Sequence, residues 1–245
     1  MKGDNAAGIA ISVVVPVKDE AGNVGPLARE IAAALAVAGP HEILFIDDGS
    51  TDGTAAALLA LKREIPVLRV LQHSRNLGQS RGLRSGARAA QGDIIITLDG
   101  DGQNDPADIP ALLAVLAAEA SVGLVSGVRV KRKDTASRRI ASRLGNGLRN
   151  WLLHDGAADT GCGLKAFRRE ALLALPYFDH NHRFFIALMR REGWGVRFVP
   201  VNHRPRLSGR SKYTNLNRLL VSVNDLLGVR WLQRRYRALG STEEL

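Results

Sequence analysis

Four short apolar, β-branched runs, each followed by a turn and then a helix-like stretch, constrain this chain more than any other feature. The runs lie near residues 11–15, 43–47, 67–71 and 94–98, and helical spacing covers 23–37, 54–63, 77–90 and 106–118. Intervals of that length accommodate crossover helices, so the pattern predicts a mostly parallel sheet covered on both faces. Ligands of such sheets bind just outside the carboxyl ends of the strands. The turn after each run is therefore where chemistry should be sought.

Three of the runs end in acids. The fourth run sits in DIIITLDGDGQ, where Asp99 and Asp101 come after the strand, each with a glycine behind it, and Gln103 offers a third oxygen. Carboxylates one residue apart on a flexible turn suit Mg²⁺ or Mn²⁺, which take oxygen ligands and bridge to substrate phosphates. A solvated acidic turn is the plainer reading of the same residues. The second run, in HEILFIDDGSTDGT, stops at Asp47 and Asp48. Asp52 is placed to cap the helix near Thr54, whereas Asp48 has no such local duty and reads as a ligand. The first run ends at Pro16 and is followed by Lys18, Asp19 and Glu20.

Charge divides the chain. Residues 1–128 hold 10 Lys and Arg against 15 Asp and Glu, while residues 129–245 hold 24 against 9. The basic half calls for an anionic partner: a nucleoside diphosphate, a nucleic acid or an anionic membrane surface. Arg81, Arg84 and Arg88 share one face of the third helix, either as a phosphate-facing stripe or as a solvated one. The single cysteine, Cys162, excludes an intrachain disulfide and a Cys-based zinc site, and reads as a small packing residue in a reducing cytosol. There is no run of 18 apolar residues, so no transmembrane helix is expected, and MKGDNAAG lacks the apolar core of a secretory signal.

The tail, LNRLLVSVNDLLGVRWLQRRYR at residues 216–237, spaces its leucines and valines as a helix does and adds Trp231 and five arginines. A basic amphipathic helix with an aromatic anchor suits a bilayer interface, and a helix packed on the domain explains the pattern as well. We expect three parts: an N-terminal tail at 1–10, an α/β domain at 11–214, and a basic amphipathic helix and tail at 215–245.

The ordered blocks VVVPVKDEAGNV, ILFIDDGSTDGT, IITLDGDGQNDP, ADTGCGLKAFRREAL, HRFFIALMRREGW and VNHRPRLSGRSKYT resemble family 2 glycosyltransferases of the GT-A fold, a Rossmann-like sheet flanked by helices. More narrowly they resemble polyprenyl-phosphate sugar transferases of the dolichol-phosphate mannosyltransferase type, over about residues 11 to 231. The resemblance implies a metal-dependent, inverting transferase with a divalent cation, Mg²⁺ or Mn²⁺, as cofactor. It would move a sugar from a UDP- or GDP-linked donor to a polyprenyl phosphate at the cytosolic membrane face, and Trp231 with the tail arginines adds the expectation of peripheral attachment to an anionic membrane in the cytoplasm. It also implies a site. Pro16, Glu20, Asp48 and Asp99 would contact the nucleotide sugar, and Asp99, Asp101 and Gln103 the metal. Arg129, Arg138 and Ser142 would receive the acceptor phosphate. Asp101, Asp159, Arg206 and Lys212 would serve catalysis, the last two within R-x-x-G-x-S-K-Y beside Ser211. The chain departs from its relatives at Lys18-Asp19, where many carry an aromatic residue and Asn.

A lipid phosphate is anionic at pH 7, its second pKa being about 6, so it attacks with little proton removal, whereas a sugar hydroxyl needs a base. Asp159 is the carboxylate available as that base, or else an organiser of the loop between its glycines. His182 reads equally as a contact to the leaving group or as a structural hydrogen bond. The alternatives are a soluble family 2 enzyme acting on a glycan hydroxyl and, in another class, a nucleic-acid-binding module. The second is weakened by few aromatics and by the acidic strand ends, so no nucleic-acid partner is expected.

Overall fold

The computed structural model describes residues 10–130, 147, 149–205 and 215–236, without the side chains of 215–222. In chain order the elements are β1 (Ile11–Val17), α1 (Ala21–Leu35), β2 (His41–Asp47), α2 (Thr54–Glu64), β3 (Leu68–Gln72), α3 (Gln79–Ala89) and β4 (Ile94–Thr97). A 3-10 turn at Pro106–Asp108 leads to α4 (Ile109–Ala118), followed by β5 (Val122–Arg129), β6 (Lys165–Arg168), α5 (Arg169–Ala174), α6 (Phe185–Arg191), β7 (Gly195–Val201) and α7 (Asn215–Arg235). The first four strands and four helices fall where the apolar runs place them. Apolar patterning alone leaves β5, β6 and β7 unassigned.

One seven-stranded sheet runs in the order β3-β2-β1-β4-β6-β5-β7. β6 is antiparallel to both of its neighbours, and all the other pairs are parallel. The carboxyl ends of β1, β2, β4, β5 and β7 therefore share one edge. β6 starts at that edge, with Lys165 paired to Thr97. Alternation along the strands divides the core into two layers. Val13, Val15, Ile43 and Phe45 face α1, α2 and α4, whereas Val14, Leu44, Ile46 and Ile95 face α3, α5 and α6. All eight are wholly buried.

Helix α7 packs on the second layer through Leu226, Val229 and Leu232. Among its described side chains the apolar residues occupy two faces rather than one, because Val223, Leu227 and Trp231 point outward. Two of the three α3 arginines have protein partners. Arg81 stacks over the Tyr177 ring at 4.5 Å, and Arg84 Nη1 donates to the Leu173 carbonyl at 3.0 Å. Leu173 of α5 and Tyr177 just beyond it thus engage these two arginines.

Candidate active site at the strand ends

The loops after β1 and β2 are laced together. Lys18 Nζ donates to the Gly49 carbonyl at 2.9 Å, the Asp19 N–H to Ser50 Oγ, the Glu20 N–H to Thr54 Oγ1, and the Thr51 N–H to Asp19 Oδ1. Gly49 has φ +68°, and a Cβ there would lie 2.6 Å from the Arg75 backbone, so only glycine fits. Asp52 is structural, as expected, but it serves two helices. Oδ1 accepts from the Thr54 N–H and Oδ2 from the Ala21 N–H, which joins the starts of α2 and α1. Glu20 Oε2 accepts from Asn23 Nδ2, and Pro16 sits half-buried near the end of β1, against Gly82 of α3.

Asp48 has structural duties that its local sequence does not reveal. Its carboxylate lies 2.7 Å from His73 Nδ1 and accepts from the N–H groups of Leu77 and Gly78 at 2.9 and 2.8 Å. The loop so held opens α3, and Gln79, its first residue, donates from Nε2 to Asp99 Oδ1 at 2.8 Å. Asp48 thus reaches the acidic turn through the loop it anchors.

Asp99 and Asp101 stand just beyond β4, as predicted. Asp99 is half-buried. Burial, reinforced by the neighbouring Asp101 charge, pushes Asp99 up to about 6. Gly163 passes so close that a Cβ there would lie 2.3 Å from Asp99 Oδ2. Asp101 Oδ1 accepts from the Gln103 N–H at 3.1 Å. The Gln103 side chain turns its Nε2 toward the Arg204 carbonyl at 3.4 Å, and the Arg204 N–H returns a bond to the Gln103 carbonyl. Arg204 is itself fixed by Glu30 and Asp105.

Beside the acids lies a basic group that sequence motifs alone do not single out. Lys165 is 5% exposed, donates to the Cys162 carbonyl, and is pushed below the ordinary lysine range by burial, against the pull of Asp99 and Asp159. Its one local signal is a lysine inside the apolar run LKAF. Arg129, at the end of β5, forks onto Asp159: Nε reaches Oδ2 at 2.7 Å and Nη2 reaches Oδ1 at 2.8 Å. Burial works to raise Asp159, but the Arg129 fork and the N–H groups of Arg129 and Gly161 outweigh it and hold the carboxylate below its usual value. Asp159 is therefore a poor base, and of its two readings the structure favours the organiser of the loop. Cys162 is buried, as its packing role requires, and burial raises its thiol. His182 has Nδ1 2.6 Å from Ser80 Oγ, and burial lowers it to about 3, so the ring is neutral and structurally engaged. Arg138, Ser142, Arg206, Ser211 and Lys212 lie outside the described residues.

The donor set at the acidic turn fits a hard divalent cation. Both groups are oxygen donors, and the mutual repulsion that raises Asp99 is what a cation relieves. Among the described residues no three His, Cys, Asp or Glu side chains converge as a metal cage. Asp99 and Asp101 would thus supply two ligands and leave the others to substrate phosphate and water, the habit of Mg²⁺ sites.

The family model described as Glycosyl transferase family 2 matches residues 12–176. A dodecaprenyl-phosphate galacturonate synthase of Rhizobium johnstonii is 36% identical over 96% of this chain and 70% of its own length. An undecaprenyl-phosphate 4-deoxy-4-formamido-L-arabinose transferase of an Enterobacter species is 36% identical over 89% of this chain; the chain spans 66% of that relative. Among solved structures, a Pyrobaculum calidifontis mannosyltransferase in complex with GDP-Man and Mn²⁺ superposes with a TM-score of 0.67 at 21% identity, covering 95% of this chain and 69% of the other. The glucosyl-3-phosphoglycerate synthase of Mycobacterium tuberculosis, with Mn²⁺, UDP-Glc and glycerol 3-phosphate, gives 0.66 at 19% identity, covering 94% and 81%. The sheet, with its one reversed strand, is the fold of these GT-A enzymes, and the chain belongs to glycosyl transferase family 2.

Proposed function

We propose that this chain is a metal-dependent, inverting glycosyltransferase that moves a sugar from a UDP- or GDP-linked donor to a polyprenyl phosphate at the cytosolic face of a membrane. The observation that carries the reading is the Asp99–Asp101 pair at the end of β4, where burial and like charge raise Asp99 to about 6. A divalent cation on this pair would neutralise the charge that grows on the departing nucleoside diphosphate. Pro16 and Glu20 would border the nucleotide, and Asp48 would act through the loop it holds. Gln103 would shape the turn or add an oxygen to the metal. Arg206 and Lys212 would add positive charge to the leaving group, where it counts most in the transition state.

The acceptor reading draws support from Asp159. Tied to Arg129 and held below the usual carboxylate range, it is unsuited to remove a proton from a hydroxyl. A phosphate acceptor needs no such base. Its oxygen would attack the anomeric carbon on the face opposite the nucleotide as the glycosidic C–O bond breaks, and the electron pair would leave with the diphosphate. Arg129, oriented by Asp159, would receive the acceptor phosphate with Arg138 and Ser142. The curated relatives, both named for polyprenyl-phosphate acceptors, point the same way.

The test is a panel of UDP- and GDP-sugars incubated with polyprenyl phosphate, with and without Mg²⁺ or Mn²⁺. Sugar should enter the lipid fraction from one donor class, and chelation should stop it. Transfer to a glycan hydroxyl with none to prenyl phosphate would overturn the acceptor assignment. Oligonucleotide binding without nucleotide-sugar binding would overturn the enzyme assignment.

A further inference from the structure

Lys165 is a buried charge that the proposed transfer leaves unused. It is 5% exposed, and it opens β6 between two strands that carry the site. In register it pairs with Thr97 of β4, two residues before Asp99, and with Ser126 of β5, three residues before Arg129. One strand therefore separates the acidic turn from the arginine assigned to the acceptor phosphate, and its first residue is this lysine. An ammonium has three N–H donors. Among the described residues Lys165 Nζ has one hydrogen-bond partner, the Cys162 carbonyl, and forms no ion pair. A single carbonyl does not offset the burial of a positive charge, so packing alone gives no reason for a lysine here.

The surroundings supply a reason. Asp99 and Asp159 attract Lys165, and Arg129 repels it. Of the two cations that pull on Asp99, Arg129 is already forked onto Asp159, whereas Lys165 is committed to no carboxylate. The lysine also shapes the turn between the two halves of the site. Its ammonium holds the Cys162 carbonyl, and the next residue, Gly163, accepts from Thr97 Oγ1 at 2.8 Å and lies directly against Asp99. Earlier in the same turn the Gly161 N–H donates to Asp159 Oδ1 at 3.1 Å. Lys165 thus grips the segment that runs from the Arg129–Asp159 pair to Asp99.

We propose that Lys165 is a positioning residue for the transfer, whose fixed charge balances Asp99 and whose hold on Cys162 sets the turn between the donor and acceptor halves of the site. A divalent cation at Asp99 and Asp101 would feel the ammonium as a repulsion, so Lys165 lowers its affinity. The same ammonium shares in neutralising the carboxylates, which leaves more of the cation's field for the departing diphosphate. Burial keeps solvent ions from screening the effect. The inference rests on the metal-dependent transfer proposed for this chain and deepens it, since it names a residue that exchanges tight metal binding for positive charge at the leaving group.

Three variants of the full chain separate charge from shape. Lys165→Gln removes the charge and keeps an N–H for the Cys162 carbonyl, Lys165→Met removes both, and Lys165→Arg keeps the charge. Mn²⁺ affinity is read from the free-ion electron paramagnetic resonance signal, with and without UDP or GDP, at about pH 8, where protons compete little for the acids. Lys165→Gln and Lys165→Met should bind Mn²⁺ about tenfold more tightly than wild type, because the repulsion between the two cations is gone. Their kcat should nevertheless fall about 10- to 100-fold. Lys165→Arg should restore wild-type Mn²⁺ affinity and most of kcat. A lysine that only supports the fold would weaken metal binding and turnover together, so the opposite movement of the two is the signature. Thermal melts show which variants fold, and Lys165→Gln decides the case where Lys165→Met does not. Mn²⁺ affinity of Lys165→Gln equal to or weaker than wild type overturns the proposal, as does tighter binding with undiminished kcat. Failure of all three variants to fold assigns the lysine to stability and overturns it too. A wild type that binds no Mn²⁺, with or without nucleotide, sinks the metal-dependent transfer itself. Mn²⁺ binding by wild type that the variants leave unchanged sinks only the role of Lys165, so the two failures are distinguishable.

Discussion

Two carboxylate clusters sit at opposite edges of the same sheet. At the amino ends of β1 and β2, Glu42 is 2% exposed, and its Oε1 accepts from Ser12 Oγ and the Gln91 N–H, both at 2.6 Å. Its Oε2 pairs with Arg69, and Ser12 Oγ in turn accepts from the Gly92 N–H at 2.9 Å. At the other end Asp99 has Gln79 as its side-chain donor and Asp101 as a like-charged neighbour. The first cluster is closed by protein groups and needs nothing further. The second brings two carboxylates together, and their repulsion and burial outweigh the pull of Lys165 and Arg129 on Asp99. The same residue chemistry therefore serves stability at one edge of the sheet and, in the function proposed above, would hold a cation at the other.

The sharpest break of this comparison is Asp101→Ala. Transfer should fall by on the order of 10³-fold or more, with the fold kept, because charge stabilisation in the transition state is removed. Turnover assays alongside thermal melts check it, and wild-type-like turnover would remove the metal role. The opposite cluster should show the opposite split. Glu42→Ala leaves Ser12, Arg69 and the Gln91 N–H without their acceptor and should cost about 3 kcal/mol, or roughly 10 °C in Tm. The kcat of the molecules that remain folded should be retained. A loss of kcat comparable with that of Asp101→Ala would show that the two ends are not separable.

Gly163→Ala probes the geometry of the acidic turn without touching a carboxylate. Its Cβ would fall 2.3 Å from Asp99 Oδ2, so the carboxylate must shift. Mn²⁺ affinity, read by titration calorimetry, should weaken by about 10- to 100-fold, the range seen when support around a metal ligand is lost. Unchanged affinity would show that Asp99 need not stand where Gly163 lets it stand.

Much of this architecture was legible in the sequence. β1 to β4 are short, mostly apolar runs, three of them leading into acids, and local pattern sufficed to place the acidic turn. β6 escaped because it is four residues long and opens on the buried Lys165, and β7 because its burial is broken by exposed positions. The duties of Asp48 and Asp159 were hidden for a different reason. Their partners, Gly78 and Arg129, are each 30 residues away, and nothing local announces such pairs. Lys165 and Gln79 are legible only once β6 and α3 are laid beside β4.

The smallest effect expected is a pH dependence, and it separates the two clusters without abolishing either. An unfolded aspartate titrates near 3.8, and Asp99 in the folded, metal-free protein near 6. Between those values the native state binds more protons at this position than the unfolded state does, so stability must fall as pH rises through the window. The contribution is fully present below pH 4 and gone above about pH 6. Its size is about 1–2 kcal/mol, because Asp99 is only half-buried and the shift cannot count in full. Other carboxylates slope the opposite way, so the wild-type curve alone does not isolate it; the difference between wild type and Asp99→Asn does. Without metal, Asp99→Asn should be the more stable protein at pH 7.5 and should lose that advantage toward pH 4. Saturating Mn²⁺ should cancel the advantage by stabilising wild type alone. On the proposed reading the cation would bind the ionised pair and so displace the proton that Asp99 retains below pH 6. If chemical denaturation shows parallel curves for the two proteins from pH 4 to 7.5, Asp99 carries no excess charge cost, and the acidic turn is no more poised for a cation than the Glu42 cluster.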